Sequence, residues 1–307
     1  MQRLGNKREV QTFVTGQVLV LNIDAIQMTG YRVLPVVTKY WKPGQDYLEE
    51  ILRSVRGRIA DDDFIVVSEK AISTARNNIV DENQVEPSLS ARFIAAFWMR
   101  IVWGYFLGTL CHLRRALLQH IREYPAEMGS RHKQVALQHA GLLQTLMFGS
   151  EGGIDGSNLP YAYVSLPLND ANIIAETIRE RVWLGLQKKV VVMIVDTDKT
   201  YSLKCFHFTP RPRPIEGIHC FGGFIAYVAG RFFKLKKRAT PLAISGRKLR
   251  VEEALEIAES ANRSRGFGAG RTVWDMARNF KVALTDVSWE MLQTVKHKPI
   301  VILRSKR

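Results

Sequence analysis

The chain has 307 residues, 46% of them hydrophobic and 24% charged, with a formal net charge of +15 at neutral pH. This describes a globular chain long enough for one large domain or two modest ones, and it excludes a disulfide-stapled scaffold, because Cys111, Cys205 and Cys220 are too few for a framework. The surplus of cations attracts anions of any kind, from nucleotides and polycarboxylates to nucleic acid, and selects none of them.

In chain order, alternation over Gln17 to Ile23 and Tyr31 to Val37 predicts two strands, and Gly44-Gln45-Asp46 then opens a short helix through Ile51, Leu52 and Val55. Phe64 to Val67 predicts another strand. It runs into Ser68-Glu69-Lys70-Ala71-Ile72-Ser73-Thr74, whose polar residues are placed to meet a ligand. Ser90 to Ile121 predicts a long helical region that breaks at Tyr124-Pro125 and resumes from His132 to Leu146. Its most apolar part, Phe93 to Cys111, is interrupted by Arg100 and followed by Arg114 and Arg115. A membrane span wants about 20 uninterrupted apolar residues, so a buried helix bent near Gly104 or Gly108 is the favoured reading.

Asn169-Asp170 predicts a helix cap, followed by Ile174, Ile178 and Val182 on one helical face and by the β-branched run Val190 to Val195. Pro210, Pro212 and Pro214 mark a turn or crossover, and Gly222 to Val228 reads as a glycine-rich strand. Arg231 to Arg238 is a basic run, Glu252 to Asn262 a helix, Arg265 to Arg271 a glycine loop, and Ile300 to Leu303 a last strand. Strands and helices alternate without repeats or low-complexity linkers, which predicts mixed α and β layers. The polar stretch Met1 to Val10 lacks the core of a secretory signal, and with so few cysteines the expected compartment is the reducing cytoplasm.

Two segments carry the chemistry. Ser150-Glu151-Gly152-Gly153-Ile154-Asp155-Gly156-Ser157-Asn158 crowds carboxylates, amides and glycines into one loop, where the backbone can turn through positive φ and approach a ligand closely. Asp155 and Asn158 supply the oxygen and amide groups that a divalent cation and phosphates need; the bland reading is a helix C-cap followed by an Asx turn. The run Val190 to Val195 ends in Asp196-Thr197-Asp198-Lys199, acidic groups at the carboxyl end of a buried strand, where ligands of open α/β sheets gather. Alternatively, Asp196 and Thr197 merely start a turn.

Other features are weaker. Arg265-Gly-x-Gly-x-Gly-Arg271 fits either a phosphate nest or a flexible connection. Cys205, His207, His219 and Cys220 fit no common zinc spacing, so packing is favoured. His132-Lys133 fits a group facing the acidic loop as well as a solvated first turn. The run Arg231 to Arg238 interleaves aromatics with cations, as nucleic-acid surfaces do, but is more often a solvated sheet edge.

Taken together, Pro35 to Ile51, Asp63 to Ser73, Gly153 to Leu166, Val190 to Thr197 and Ser245-Gly246-Arg247-Lys248-Leu249-Arg250-Val251 resemble the coenzyme F420-0:L-glutamate ligase family. The resemblance implies an α+β fold of mixed sheets and packed helices in two interleaved subdomains. It implies one domain over 1–307, with a helical insertion at about 84–148 and a second subdomain at about 200–245. It further implies a homodimeric, GTP-dependent enzyme using Mg²⁺ or Mn²⁺, which activates a carboxylate as an acyl phosphate for attack by the amine of glutamate. On that resemblance Asp155 and Asp196 are metal ligands, Thr197 a ligand of a second metal, and Glu69, Lys70 and Asn158 nucleotide contacts. The chain departs from the family in having Ser73-Thr74-Ala75-Arg76-Asn77 where a lysine is common, and no carboxylate in the loop Arg265 to Arg271. The rival class is a noncatalytic nucleotide or nucleic-acid binding protein on the same fold; nucleic acid is not favoured, and no membrane partner is expected.

Overall fold

A computed structural model describes residues 30–306, so the strand expected at Gln17 to Ile23 lies outside the described residues. In chain order the strands are β1 (Tyr31–Thr38), β2 (Phe64–Ser68), β3 (Ile79–Asp81), β4 (Tyr163–Ser165), β5 (Val191–Leu203), β6 (Phe206–Thr209), β7 (His219–Cys220), β8 (Lys236–Ser245) and β9 (His297–Ser305). The main sheet runs β1-β9-β2-β5-β6-β7, with β8 also paired to β5, and β3 and β4 form a separate pair. β2 and β5 are parallel, with Phe64 opposite Val191 and Ser68 opposite Val195; β9 and β8 flank this pair antiparallel.

The run Phe64 to Val67 is apolar without alternation because both faces of the sheet are covered. Ile65 and Val67 pack with Ile51 and Val55 of the helix Tyr47–Val55 and with Ile174, Ile178 and Val182 of the helix Ala171–Leu186. Phe64 and Val66 pack with Ala254, Ile257, Ala258 and Ala261 of the helix Val251–Arg265. Each such fully buried side chain stabilises the fold by roughly 1.5–3 kcal/mol relative to exposure. The expected α+β class is what the structure shows.

Three expectations change. The run after Val190 does not end at Asp196: β5 continues to Leu203, because Asp196 pairs with Thr240 while Lys199 pairs with the adjacent Ala239, so Thr197 and Asp198 bulge out of the ladder. Gly222 to Val228 enters a helix, Phe224–Phe232, rather than a strand. Gly222 and Gly223 take positive φ at its start, and a Cβ at Gly230 would lie 2.2 Å from the Tyr201 ring, so the glycines serve helix entry and close packing on β5.

The long apolar helix runs Leu89–Leu110 and is buried on one face only, through Met99 and Trp103; Phe93, Phe97 and Phe106 are exposed. By length and composition alone it could cross a membrane. Gly104 and Gly108 mark close approach: an added Cβ would lie 2.8 Å from Arg122 Cγ and 2.5 Å from Leu118 Cδ2, on the helix Arg115–Arg122 that packs there.

Candidate active site

Because β2 and β5 run parallel with Ser68 opposite Val195, Glu69-Lys70 at the carboxyl end of β2 lie beside the Asp196-Thr197 bulge within β5. The loop of residues 149–158 closes over them and is tied down by two cations. Lys70 Nζ pairs with Asp155 and donates to Ser157 O at 2.9 Å and Ser157 Oγ at 2.8 Å. Arg211, buried, sends Nε to Asp196 Oδ2 at 2.7 Å, Nη2 to Glu69 Oε1 at 2.5 Å and Nη1 to Gly152 O at 2.7 Å. Gly153, at φ +99°, must be glycine on two counts, since a Cβ would also sit 2.6 Å from Arg211 Cζ.

Asp155 is fixed by its own loop: its backbone pairs with Ser165, and its Oδ1 accepts the Ser157 N–H at 2.7 Å. Thr197 is exposed at the tip of the bulge, whereas its neighbour Asp198 is 7% exposed and has Ser150 as its side-chain hydrogen-bonding neighbour. Burial, reinforced by Asp196, holds the Asp198 carboxyl well above the usual carboxylate range.

Two cavities meet at this point and share Asp155, Ser157, Thr197 and Arg271. The first, about 460 Å³, is strongly cationic: Lys70, Lys199, Arg263, Arg265, Arg271, Lys296 and Lys298 line it against Asp155, Asp196 and Glu259. Arg265 keeps one guanidinium nitrogen, Nη1, without a partner, and burial lowers its pKa only to about 10, leaving it charged at neutral pH. The second cavity, about 360 Å³, is walled largely by aromatic and aliphatic groups from the 84–148 insertion and from residues 159–164 and 273–287.

Beneath the second cavity lies a buried ionic cluster. Lys133, with no exposed surface, pairs with Glu151 and donates to the carbonyls of Thr145 and Met147. His132 bridges Glu82 and Glu151, at 2.6 Å and 2.9 Å. Burial opposes charge on this imidazole, but the two carboxylates outweigh it and push its pKa to about 10. Burial likewise opposes charge on Glu151, and Lys133 and His132 hold it down at about 2.

The imidazole is thus raised above its ordinary 6.5, so its contribution is complete below that pH and disappears as pH climbs toward 10; the carboxylate is lowered from 4.5, so its contribution disappears as pH falls toward 2. The cluster's own contribution to urea midpoints at constant ionic strength should therefore be flat between about pH 4.5 and 6.5 and decline on the alkaline side, on top of the loss that the raised Glu69 carboxyl adds as pH climbs from 4.5 toward 7. In His132→Gln the alkaline decline should shrink; an unchanged slope would remove His132 as its source.

The structure brings Lys70, Asp155, Asp196 and Thr197 to one cleft wall. Two expected nucleotide contacts are placed differently. Glu69 is buried, is not part of the cleft wall, and binds Arg211 and the Leu168 N–H, so it orients the cation that holds Asp196. Asn158 does line the cleft, but its side chain accepts from Ala269 N and donates to Gly270 O, which clamps the glycine loop of residues 266–270. Of the two readings of His132-Lys133, the structure shows the one that faces the acidic loop, since both side chains bond Glu151 of that loop.

Among the described residues no group of three or more His, Cys, Asp or Glu is spaced for a metal, and His207 bonds Ser202. Lys236 and Arg238 of the basic run are engaged by Glu252 and Glu256, which takes two of its cations away from any nucleic acid. The sequence gives Arg211 no role, its flanking prolines being the only signal, whereas Arg265 is one of the two cations expected to flank a phosphate nest and Asp198 one of the acidic groups that follow the apolar run.

Two carboxylates and a hydroxyl on one cleft wall fit a single hard cation that takes its remaining oxygens from phosphate and water. Lys70 and Arg211 each occupy one carboxylate oxygen, so Asp155 and Asp196 are preorganised at the cleft rather than free.

The fold is of the α+β class, with its polar cleft where the parallel pairing of β2 with β5 ends, at the β5 bulge. Residues 35–210 match the family described as F420-0:Gamma-glutamyl ligase. The chain is 31% identical over 289 residues to the uncharacterized protein MJ1361 of Methanocaldococcus jannaschii, covering 90% of this chain and 97% of that protein. It is also 31% identical over 160 residues to the coenzyme F420:L-glutamate ligase of Archaeoglobus fulgidus, covering 51% of this chain and 55% of that protein. The chain belongs to the F420-0:gamma-glutamyl ligase family, whose activity is that of a ligase.

Proposed function

We propose that the protein is a GTP-dependent amide ligase that activates a carboxylate as an acyl phosphate and joins it to the amine of an amino acid such as L-glutamate. The observation that carries this reading is the meeting of Asp155, Asp196 and Thr197 with the cationic cleft, beside a second cavity. On this reading the larger cleft takes the nucleotide. Lys70, Arg265 and Arg271 neutralise phosphate oxygens, and the unpartnered Arg265 nitrogen finds its acceptor there. Asp155, Asp196 and Thr197 would hold Mg²⁺ or Mn²⁺, which supplies charge neutralisation for phosphoryl transfer. Glu69, Arg211 and Asn158 act one step back by orienting Asp196, Gly152 and the glycine loop. No covalent nucleophile is required of the chain. A homodimer in the cytoplasm belongs to the same reading, and the three free cysteines suit a reducing compartment.

Thermal-shift measurements with GTP, ATP and GDP, each with Mg²⁺ or Mn²⁺, test it. Ligand at a hundred times its Kd stabilises by about 2.7 kcal/mol, so GTP with metal should raise Tm by several degrees. In Asp196→Ala that ligand-dependent rise should vanish. Equal rises in both proteins remove Asp196 from the site, and no rise with any nucleotide defeats the ligase reading.

A further inference from the structure

The helix Leu89–Leu110 turns an apolar side outward. Phe93, Phe97, Ile101 and Phe106, spaced about one turn apart, are exposed along it, with Phe93 60% and Phe106 66% exposed. Phe93 and Phe97 stack on each other at 5.2 Å. The opposite side is fastened to the fold along its length. Trp98 and Trp103 donate their indole N–H groups to the Leu146 carbonyl at 2.8 Å and 2.6 Å, Arg100 Nε donates to Tyr124 O at 2.8 Å, and Arg122 Nε donates to Gly104 O at 2.9 Å. A helix held in this way does not span a bilayer, but its outer side is free to lie along a surface. The sequence favours a buried helix; the exposed stripe is what changes that expectation.

The charge around the stripe has one sign. From Pro87 to Arg122 the sequence has five arginines and neither Asp nor Glu, and from Gly217 to Val251 it again has neither. Arg231 Nε donates to the Cys111 carbonyl at 3.1 Å, which places the exposed Phe232, Phe233 and Lys234 at the same end of the helix as Arg114 and Arg115. Among the described residues Arg92, Arg114, Arg115 and Lys234 pair with no carboxylate. An apolar stripe with unpaired cations at its rim matches a helix lying in the plane of a membrane interface, where the stripe enters the acyl boundary and the cations meet anionic headgroups.

We propose that this face docks on an anionic phospholipid surface, with the aromatic stripe and Phe232-Phe233 in the headgroup boundary and Arg92, Arg114, Arg115 and Lys234 on lipid phosphates. A second copy of the chain is the poorer occupant, because a two-fold contact would lay the cationic rim against itself. Nucleic acid would engage the cations but would leave the Phe and Ile side chains in water. None of these residues lines either cavity, so the surface stands apart from the ligase reading.

Flotation of the full chain with vesicles tests it. Vesicles of phosphatidylcholine with an equal part of phosphatidylglycerol should bind the protein at least tenfold more tightly than phosphatidylcholine alone, and added salt should weaken that binding. Phe93→Ser with Phe106→Ser, both at exposed positions, should lose at least tenfold in affinity for the anionic vesicles while Tm stays that of the parent. Arg114→Gln with Arg115→Gln should lose about tenfold for the anionic vesicles and nothing for the neutral ones. No flotation with the anionic vesicles, equal flotation with both, or unchanged affinity in either double variant overturns the proposal. So does a vesicle-free dimer that the phenylalanine variant dissolves, which gives the face to a second copy, or RNA bound more tightly than the anionic vesicles and released by the arginine variant alone.

Discussion

Arg211→Met should lower the unfolding free energy by about 3–5 kcal/mol, the range for removing one partner of a buried ionic cluster, and should abolish nucleotide-dependent turnover with it. In the native protein one guanidinium satisfies Asp196, Glu69 and the Gly152 carbonyl through three different nitrogens. Methionine fills much of the space but leaves two carboxylates facing each other without a cation. Lysine does not replace arginine, since a single ammonium cannot reach three acceptors disposed around a planar fork.

The loss carries a pH signature. Burial already lifts Glu69 to about 7, with Asp196 adding to the lift against the pull of Arg211. Without Arg211 that carboxyl rises further, and a group whose folded pKa is raised is most stabilising at low pH and loses its contribution as pH rises. The deficit of Arg211→Met should therefore be smaller at pH 5 than at pH 8, and adding Glu69→Gln should recover part of it. Urea midpoints at the two pH values measure this, and a variant with wild-type midpoints would refute the central place given to Arg211.

Lys133→Met should cost a similar amount, about 3–5 kcal/mol, but its damage should be local. Lys133 joins the helix Ala126–His139 to Glu151 and to the carbonyls of Thr145 and Met147, so it fastens the insertion to the loop that carries Asp155. Hydrogen exchange should accelerate across residues 126–158 while β2 and β5 stay protected. Pairing it with Glu151→Gln should soften the effect, because the buried negative charge is then gone. Uniform exchange across the chain would show that the cluster stabilises the whole fold and not this junction.

Much of the frame was legible without coordinates. Asp46 caps the helix Tyr47–Val55 through the Leu48 and Glu49 N–H groups, as its place before an amphipathic segment suggests. The β2 strand and the helices Ala171–Leu186 and Val251–Arg265 follow their apolar periods. Asp170 stands at its expected cap position, yet its side chain goes to Arg76. Where reading failed, a neighbour distant in sequence had overridden the local signal. Gly222 to Val228 has the composition of a strand but leads into a helix whose Gly230 packs closely against the Tyr201 ring of β5.

The sequence by itself determined which segments are apolar on which period, where glycine permits positive φ, and that acidic groups follow a buried strand, because these are properties of residues near one another along the chain. Only the tertiary structure decided which charges pair. Arg211 is 142 residues from Glu69 and 59 from Gly152, and Lys70 is 85 from Asp155, so none of these bonds leaves a periodic trace. In the same way Asp196 and Asp198, two positions apart, part company in three dimensions: one is paired with Arg211, and the other is buried at the second cavity beside Ser150. Long-range pairing in a low-dielectric interior separates their roles, and local sequence does not encode it.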